Sequence, residues 1–308
     1  MNAESNAVPE SFDSQPIAPA AIAPTRPFYW SVQRELWENR SIYIAPLAVA
    51  AVILFSFLIS AIHLPSKMRA ALALDPMQQQ ELIGKPYNFV ALSIMATAII
   101  VGVFYSLDAL HGERRDRSIL FWKSLPVSDL TTVLSKASIP IVILPLLAFA
   151  ITVATQCIML LVGTAVLLAS GQSVATLWTH LPLFQMSLML FCHLLGVHGL
   201  WYAPFYGWLL LVSGWARRAA FLWAALPLLA IGVVEKIVFN TSHFGALLAS
   251  RLTGGSEGAA LTGSASMHPL TYLALGRFLT SPGLWIGLAI AAAFLAAAVR
   301  LRRYQGPI

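Results

Sequence analysis

The sequence predicts an all-α integral membrane protein that crosses the bilayer six times. Of its 308 residues, 58% are apolar and only 10% are charged, and the mean hydropathy is +0.75. Soluble domains average about 45–50% apolar and about 25% charged residues. The apolar residues here lie in continuous stretches of about 18 or more, as in membrane-spanning helices. Membrane β-barrels would instead show segments of about ten residues that alternate between apolar and polar.

Before the first apolar stretch lie a tail and an amphipathic segment. Residues 1–27 are rich in Pro, Ala and Ser, so we expect a disordered cytoplasmic tail. Residues 28–41 are predicted to form a helix, because apolar and polar side chains would take its opposite sides. The apolar side carries Phe28, Tyr29, Val32 and Leu36. The polar side carries Ser31, Arg34, Glu35 and Glu38. This pattern predicts a helix in the membrane interface; the alternative is an extension that packs on its own protein.

Six apolar stretches in the membrane domain, residues 42–308, predict the spans. They lie at about 42–64, 87–110, 138–169, 183–213, 219–239 and 283–300. The third and fourth exceed the length of about 20 residues that crosses a bilayer, so they must tilt, bend or project beyond it. Pro140, Pro145 and Pro204 are the expected bends.

The distribution of basic residues predicts the orientation. Thirteen of the 19 Lys and Arg residues lie before the first span, after the second and fourth spans, and after the last. Because cytoplasmic connections carry the excess of Lys and Arg, both termini are predicted to be cytoplasmic. The net charge of +6 therefore follows from topology and does not indicate nucleic-acid binding.

The connection at residues 111–137 carries the most informative pattern. It opens with a dense run of charges from Glu113 to Arg117, breaks at Pro126 and restarts at Ser128, a predicted helix cap. Composition alone is equally compatible with an ordinary positively charged membrane anchor followed by a surface helix.

In the order and spacing of its residues, this connection resembles the first cytoplasmic loop of the permease subunits of ATP-binding-cassette transporters of the type 2 exporter class. The matching residues are Glu113, Ser118, Leu125, Pro126, Val127, Ser128 and Lys136. The resemblance extends to the interfacial helix, the six spans, the cytoplasmic termini and the long outer segment before the last span.

The resemblance implies that residues 111–137 sit in a groove of a separate ATPase subunit, which binds ATP and Mg²⁺. It also implies a dimer with a second copy of the chain or a sister permease, in a bacterial inner membrane and in contact with its lipids. A rigid turn, apolar anchors and charges that fix the register suit such an interface. The predicted ATPase-coupling residues are Glu113, Arg114, Arg117, Ser118, Leu125, Pro126, Val127, Ser128, Asp129 and Lys136.

This chain is expected to be a transport subunit without a cofactor of its own, and not an enzyme. The sequence contains no phosphate-binding loop, since Gly84 and Lys85 are followed by proline. An integral membrane enzyme would need a nucleophile with a base, or paired carboxylates, within the spans. The predicted spans contain no such constellation.

Four residues in the predicted spans are candidates for a pathway or gate: His193, His198, Glu235 and Lys236. The two histidines lie about 140° apart around a helix and are poorly placed to bind one metal ion. They either line a cavity or hydrogen-bond to a neighbouring helix. Glu235 and Lys236 either extend into lipid headgroups or form an outer gate.

Two alternatives to the permease remain at this stage. An ion-coupled secondary transporter usually shows internal repeats and several charges within the membrane, and the sequence has no repeat and few such charges. A non-transporting scaffold subunit is equally compatible with the sequence. The outer loop, residues 240–282, contains an apolar stretch at 265–280 that either dips into the membrane or lies outside it.

Overall fold

The computed structural model of the protein describes residues 25–181, 183–252 and 278–306, and the regular structure of these residues is helical. The α-helices, in chain order, are α1 (Thr25–Glu38), α2 (Ser41–Ala61), α3 (Leu64–Ala71), α4 (Pro76–Asp108), α5 (His111–Arg115), α6 (Ile119–Ser124), α7 (Asp129–Ser138), α8 (Leu144–Ala169), α9 (Ala175–His180), α10 (Leu183–His193), α11 (Ala203–Trp215), α12 (Ala220–Phe239), α13 (His243–Leu252) and α14 (Pro282–Tyr304). Two π-helical segments, Ile139–Ile143 and Leu194–Trp201, lie within the third and fourth predicted spans.

Six helical stretches in the described residues are long and apolar enough to cross a membrane, so the predicted all-α membrane fold and six-span count are confirmed there. They are Ser41–Ala61, Pro76–Arg115, Asp129–Ala169, Ala175–Trp201, Ala220–Phe239 and Pro282–Tyr304. The helix of the second predicted span, α4, begins at Pro76, well before the predicted start at residue 87. The polar residues 78–81 lower the hydropathy of this part, but glutamine and glutamate favour helix almost as strongly as leucine.

The core of the bundle lies between α2, α4 and α8. Val90, Ile94 and Leu144 are completely buried there. A second contact joins α11 and α14, where Gly207 faces the backbone of Ala291; a Cβ at Gly207 would lie 3.3 Å from the Ala291 carbonyl oxygen. Small residues allow this approach of two helix backbones, which is a common way of packing helices in membranes.

The third and fourth spans change their helical geometry at the predicted prolines. The π-helical segment Ile139–Ile143 contains Pro140, and Pro145 follows it in the first turn of α8. In the fourth span, α-helix gives way to π-helix after His193, and α11 begins anew just before Pro204. The regular α-helix of each span is therefore interrupted close to the prolines that were expected to bend it.

The two π-helical segments are in close contact. A Cβ at Gly199 would lie only 2.6 Å from the Ile141 carbonyl oxygen, so the two backbones meet where there is no room for a side chain.

Two of the sequence-based predictions concern residues that lie largely or partly outside the described part of the chain. These are the tail, residues 1–27, and the outer loop, residues 240–282, with its apolar stretch. The described part of the outer loop contains α13. The predicted first outer connection, residues 65–86, contains most of α3 and the beginning of α4.

Candidate functional site at the end of the bundle

Six charged side chains meet where α1, α5, α7 and the C-terminal turns of α14 come together. We call them the charge cluster: Arg34, Glu35, Glu113, Asp129, Lys136 and Arg302. Four of them, Glu35, Glu113, Lys136 and Arg302, are at most 8% exposed. Three charges are positive and three are negative, so the cluster is electrically balanced. This balance matters because burying an ion is costly unless it is paired and hydrogen-bonded.

Two cations bridge two carboxylates at the centre of the cluster. The Lys136 ammonium lies 2.8 Å from Glu35 Oε1 and 3.2 Å from Glu113 Oε1. Arg34 Nη2 reaches the same two oxygens at 2.6 and 3.1 Å. Glu35 and Glu113 therefore share both cations, and the helices that carry them are held to one another through α7.

The second oxygen of each carboxylate is also engaged. The Tyr105 hydroxyl on α4 donates a hydrogen bond to Glu35 Oε2 at 2.8 Å. Arg302 Nη1 donates to Glu113 Oε2, and Arg302 Nε donates to Asp129 Oδ1 at 3.1 Å. The network thus includes α14, which enters the site from the other end of the described chain.

The electrostatic environment keeps Glu35 ionised. Burial on its own would raise the pKa of this carboxyl, but the charges of Lys136 and Arg34 outweigh it, so the pKa lies below its ordinary value. Burial likewise lowers the pKa of Arg34, and Glu35 more than compensates. Glu35 and Arg34 are therefore both charged where they pair.

Hydrogen bonds to backbone groups attach α5 to the end of α11. Arg114 Nη1 donates to the Gly214 carbonyl oxygen at 2.5 Å, and Arg114 Nε donates to that of Gly306 at 3.3 Å. The Ser213 hydroxyl oxygen accepts from the backbone N–H groups of Leu110 and His111 at 3.0 and 2.9 Å. These contacts satisfy N–H groups at the start of α5 and a carbonyl group at the end of α11 that have no partner within their own helices.

The segment from α6 to α7 projects apolar side chains outward from this fixed base. We call Leu120, Phe121, Leu125 and Leu130 the exposed apolar residues of the α6–α7 segment; they are 59, 60, 38 and 54% exposed. Ser128 caps α7, since its hydroxyl oxygen accepts from the Thr131 N–H at 3.1 Å. The predicted cap is confirmed.

Two contacts hold α6 against its neighbours. The Arg34 guanidinium lies 3.8 Å from the centre of the Trp122 ring, which gives a cation–π contact with α1. The Lys123 ammonium donates to the carbonyl oxygen of Gln305 at 3.1 Å. The α6–α7 segment is thus joined both to the first described helix and to the end of the last.

The predicted ATPase-coupling residues divide into an internal and an external group. Glu113, Arg114 and Lys136 are buried, and Asp129 is partly buried against Arg302, so these four are engaged within the protein. Ser118 and Val127 are half-buried. The exposed members are Arg117, Leu125, Pro126 and Ser128. Other parts of the chain cover Glu113, Arg114 and Lys136 in this structure.

The helix α1 packs on its own protein along its polar side and leaves aromatic side chains exposed elsewhere. Its polar side packs on α7, where Arg34 and Glu35 enter the charge cluster. On the remaining surface Tyr29, Trp30 and Trp37 are 61, 58 and 65% exposed. Aromatic residues of this kind favour the boundary between lipid and water.

The predicted pathway and gate residues lie apart from the charge cluster. His198 is buried, with Nε2 3.2 Å from the hydroxyl of Tyr206, which lies in the same predicted span. His193 is half-buried and Lys236 is exposed. Within the described part of the chain, no three His, Cys, Asp or Glu side chains are grouped so that they could hold a metal ion.

Glu235 caps the helix that follows its own. Its carboxylate accepts hydrogen bonds from the backbone N–H groups of His243 and Phe244 at 2.6 and 2.8 Å, and from the Thr241 hydroxyl at 2.8 Å. A carboxylate at this position compensates the unpaired N–H groups at the start of α13. This geometry accounts for Glu235 without a gate.

Sequence reasoning missed four residues of the site: Arg34, Glu35, Tyr105 and Arg302. Glu35 was assigned to the polar side of an interfacial helix, and Arg302 to the basic residues that set orientation. One signal in the sequence indicated such a site: charges of opposite sign flank the apolar spans on the side predicted to be cytoplasmic. The sequence does not show which of these charges pair, because the pairing depends on how the helices pack.

Comparison of the chain with protein-family models, with curated proteins and with solved structures gives no match. The functional argument therefore rests on the sequence pattern and on this geometry.

Proposed function

We propose that the chain is the transmembrane permease subunit of an ATP-binding-cassette exporter, coupled through residues 111–137 to a separate ATPase subunit. The observation that carries the proposal is the exposed apolar α6–α7 segment, mounted on a buried and balanced charge cluster. A coupling element needs both features: a surface that a partner can bind and a rigid connection to the spans.

The surface has the composition of a protein interface. Its exposed apolar residues lie close in sequence to the charged Arg115, Asp116 and Arg117, which are also exposed. Apolar contacts surrounded by polar residues are typical of specific interfaces, in which charges select the partner. In this proposal Leu120, Phe121, Leu125 and Leu130 contact the ATPase.

The charge cluster serves as the rigid connection. A displacement of the α6–α7 segment acts on α1 through Trp122 and Arg34, and on α14 through Asp129 and Arg302. Glu113 and Lys136 are positioning residues in this proposal, because they hold the helices together and touch no partner. This revises the role that the resemblance implies for them.

The other parts of the proposal follow from the resemblance and from the charge distribution. ATP and Mg²⁺ bind the ATPase, and two permease chains, identical or related, form the transport path. The end of the bundle that carries the charge cluster faces the cytoplasm of a bacterial inner membrane, since most of the Lys and Arg residues lie there.

An ion-coupled transporter fits the geometry less well. Such a protein needs intramembrane carboxylates that bind and release an ion. Both oxygens of Glu35 and of Glu113 are already engaged by cations or by Tyr105.

The test begins with the full chain purified in mild detergent from its native host. We expect an ATPase with a phosphate-binding loop to copurify in near-equal amount. Leu125→Asp, which places a charge on the exposed surface, and Pro126→Gly, which loosens the turn, should each reduce the bound ATPase about tenfold, the effect of losing 1.4 kcal/mol. Leu74→Asp is the matched control. Leu74 is 40% exposed, like Leu125, but it lies between α3 and α4, away from the α6–α7 segment.

Copurified complexes are then placed in vesicles, and ATP-dependent movement of candidate substrates is measured. Absence of an ATPase, or equal binding by Leu125→Asp and the wild type, contradicts the proposed coupling surface. An ATPase that binds and is stimulated while no substrate moves would favour the scaffold alternative. Glu113→Lys is unsuitable as a probe of coupling because it places a fourth cation among Arg34, Lys136 and Arg302.

A further inference from the structure

An apolar groove opens at the end of the bundle opposite the charge cluster. Its volume is about 950 Å³, and it lies between the second half of α2, the short helix α3 and the beginning of α4. Ile53 and Phe57 on α2 and Phe89 on α4 contribute to its wall, and Met159 on α8 contributes from the core side. Its size is at the upper end of the range of about 300–1,000 Å³ typical of ligand sites.

Two lysines are the charged residues among the described side chains that line the groove. Lys67 on α3 and Lys85 on α4 are both exposed, and the part of the chain that the structure describes gives neither of them an ion pair. Among the residues that the structure describes, no carboxylate contributes to the lining. Ammonium groups form their strongest hydrogen bonds with anionic oxygens, so this end of the groove is suited to an anion.

The groove has the length of a lipid chain. Its lining on α2 extends from Ala48 to Ala61, which corresponds to about 20 Å at 1.5 Å per residue. One leaflet contributes about 15 Å of hydrocarbon to a bilayer. The lysines lie at one end of this length, as headgroup contacts would, and the apolar wall extends from them toward the middle of the helices.

We propose that this groove binds one anionic phospholipid. Its phosphate group lies between Lys67 and Lys85, and an acyl chain follows α2 past Phe57 and Ile53. A water-soluble anion would leave the apolar wall uncovered. A zwitterionic lipid brings a cation together with its phosphate, so it would add no net negative charge beside the two ammonium groups. The proposal is independent of ATPase coupling, because no residue of the charge cluster or of the α6–α7 segment lines the groove.

The test uses the full chain reconstituted in bilayer discs with equal amounts of phosphatidylcholine and phosphatidylglycerol. After transfer to mild detergent, native mass spectrometry counts the lipids retained on each chain. We expect one phosphatidylglycerol per chain, strongly preferred over phosphatidylcholine. Because one basic residue near an anionic headgroup contributes about a fivefold preference, Lys67→Gln and Lys85→Gln should each reduce the preference about fivefold.

Matched variants separate the headgroup contact from the apolar groove. Lys236→Gln removes an exposed lysine that does not line the groove, and it should retain the wild-type preference. Ser56→Trp fills the groove from α2, so it should reduce the retention of both lipids. The double variant Lys67→Gln with Lys85→Gln should retain the two lipids equally, with an unchanged unfolding temperature.

Three outcomes would overturn the proposal. They are equal retention of the two lipids by the wild type, an undiminished preference in the double variant, and displacement of phosphatidylglycerol by inorganic phosphate alone. The last result would identify a site for a free anion.

Discussion

The Lys136 ammonium lies 2.8 Å from Glu35 Oε1, although 101 residues separate the two in the chain. Glu35 belongs to α1, before the first span, and Lys136 belongs to α7, at the beginning of the third. Both side chains are at most 3% exposed. This contact fixes the helix outside the membrane spans to the bundle and places it next to the proposed ATPase-coupling segment.

Lys136→Met should strongly destabilise the protein. The substitution removes one of two cations that bridge Glu35 and Glu113, and breaking a buried ion pair on one side costs about 3–5 kcal/mol. We expect a clearly lower midpoint of thermal unfolding in detergent. Lys236→Met, at an exposed position on α12, should leave the midpoint unchanged. Equal midpoints for the two variants would mean that the cluster adds nothing to stability.

Acidification should weaken the protein through Glu35. The pKa of this carboxyl lies below its ordinary value of 4.5 in the folded protein, so the folded state favours the ionised form. Its stabilising contribution is present above about pH 4.5 and is lost as the pH falls through the lowered pKa. We expect Glu35→Gln to lower the unfolding temperature at neutral pH and to reduce its dependence on acid.

Glu38, one turn further along α1, provides the control for this measurement. Burial raises the pKa of Glu38, and its pair with Arg34 offsets this only in part. Its pH dependence therefore has the opposite sign, and the ionised form adds no stability at neutral pH. Glu38→Gln should not lower the unfolding temperature there. A decrease as large as that of Glu35→Gln would contradict the specific role of Glu35.

Arg302→Ala should release the C-terminal turns of α14. The change leaves Glu113 Oε2 and Asp129 Oδ1 without their partner, at a cost of about 3 kcal/mol if the pair behaves as other buried pairs do. Hydrogen–deuterium exchange should accelerate in these turns of α14. Arg303→Ala changes an exposed side chain one residue away. In this variant the amide hydrogens of α14 should exchange at the wild-type rate. Similar protection in both variants would show that Arg302 does not anchor the helix.

Gly199→Ala should disturb the contact between the two π-helical segments. The added Cβ would lie 2.6 Å from the Ile141 carbonyl oxygen, so the third and fourth spans must move apart. Overpacking of this kind costs about 1–3 kcal/mol, and we expect a lower unfolding temperature. Gly232→Ala on α12 introduces a Cβ with nothing within 4 Å, so its unfolding temperature should not fall. Unchanged stability of Gly199→Ala would contradict the close approach.

The spans could be predicted from the sequence because each one satisfies its own backbone and meets lipid on its surface. A sufficiently long apolar stretch is therefore informative without knowledge of its neighbours. The Ser128 cap was predictable for a similar reason, since its partner Thr131 is three residues away. The start of α4 was not, because residues 78–81 are helical without being apolar.

The charge cluster depends on contacts between helices that are distant in sequence, and the hydrophobic periodicity of single helices does not predict such contacts. Glu113 and Arg302 are 189 residues apart, and no local pattern states which helix ends meet. The sequence identified Glu113 and Lys136 as important polar residues, but no local pattern showed that their side chains pair with each other. Glu235 is a gate candidate in the sequence. In the structure its carboxylate accepts hydrogen bonds from Thr241, just before α13, and from the first two residues of α13.

The entry of Arg302 from α14 has a consequence for biosynthesis. The chain is made from its N-terminus, so Glu35, Glu113, Asp129, Arg34 and Lys136 are all synthesised well before Arg302. Until α14 arrives, these five groups carry one negative charge in excess where the helix ends meet. Synthesis of α14 neutralises this excess and joins α14 to helices inserted much earlier. The order of synthesis thus makes assembly of the charge cluster wait for α14.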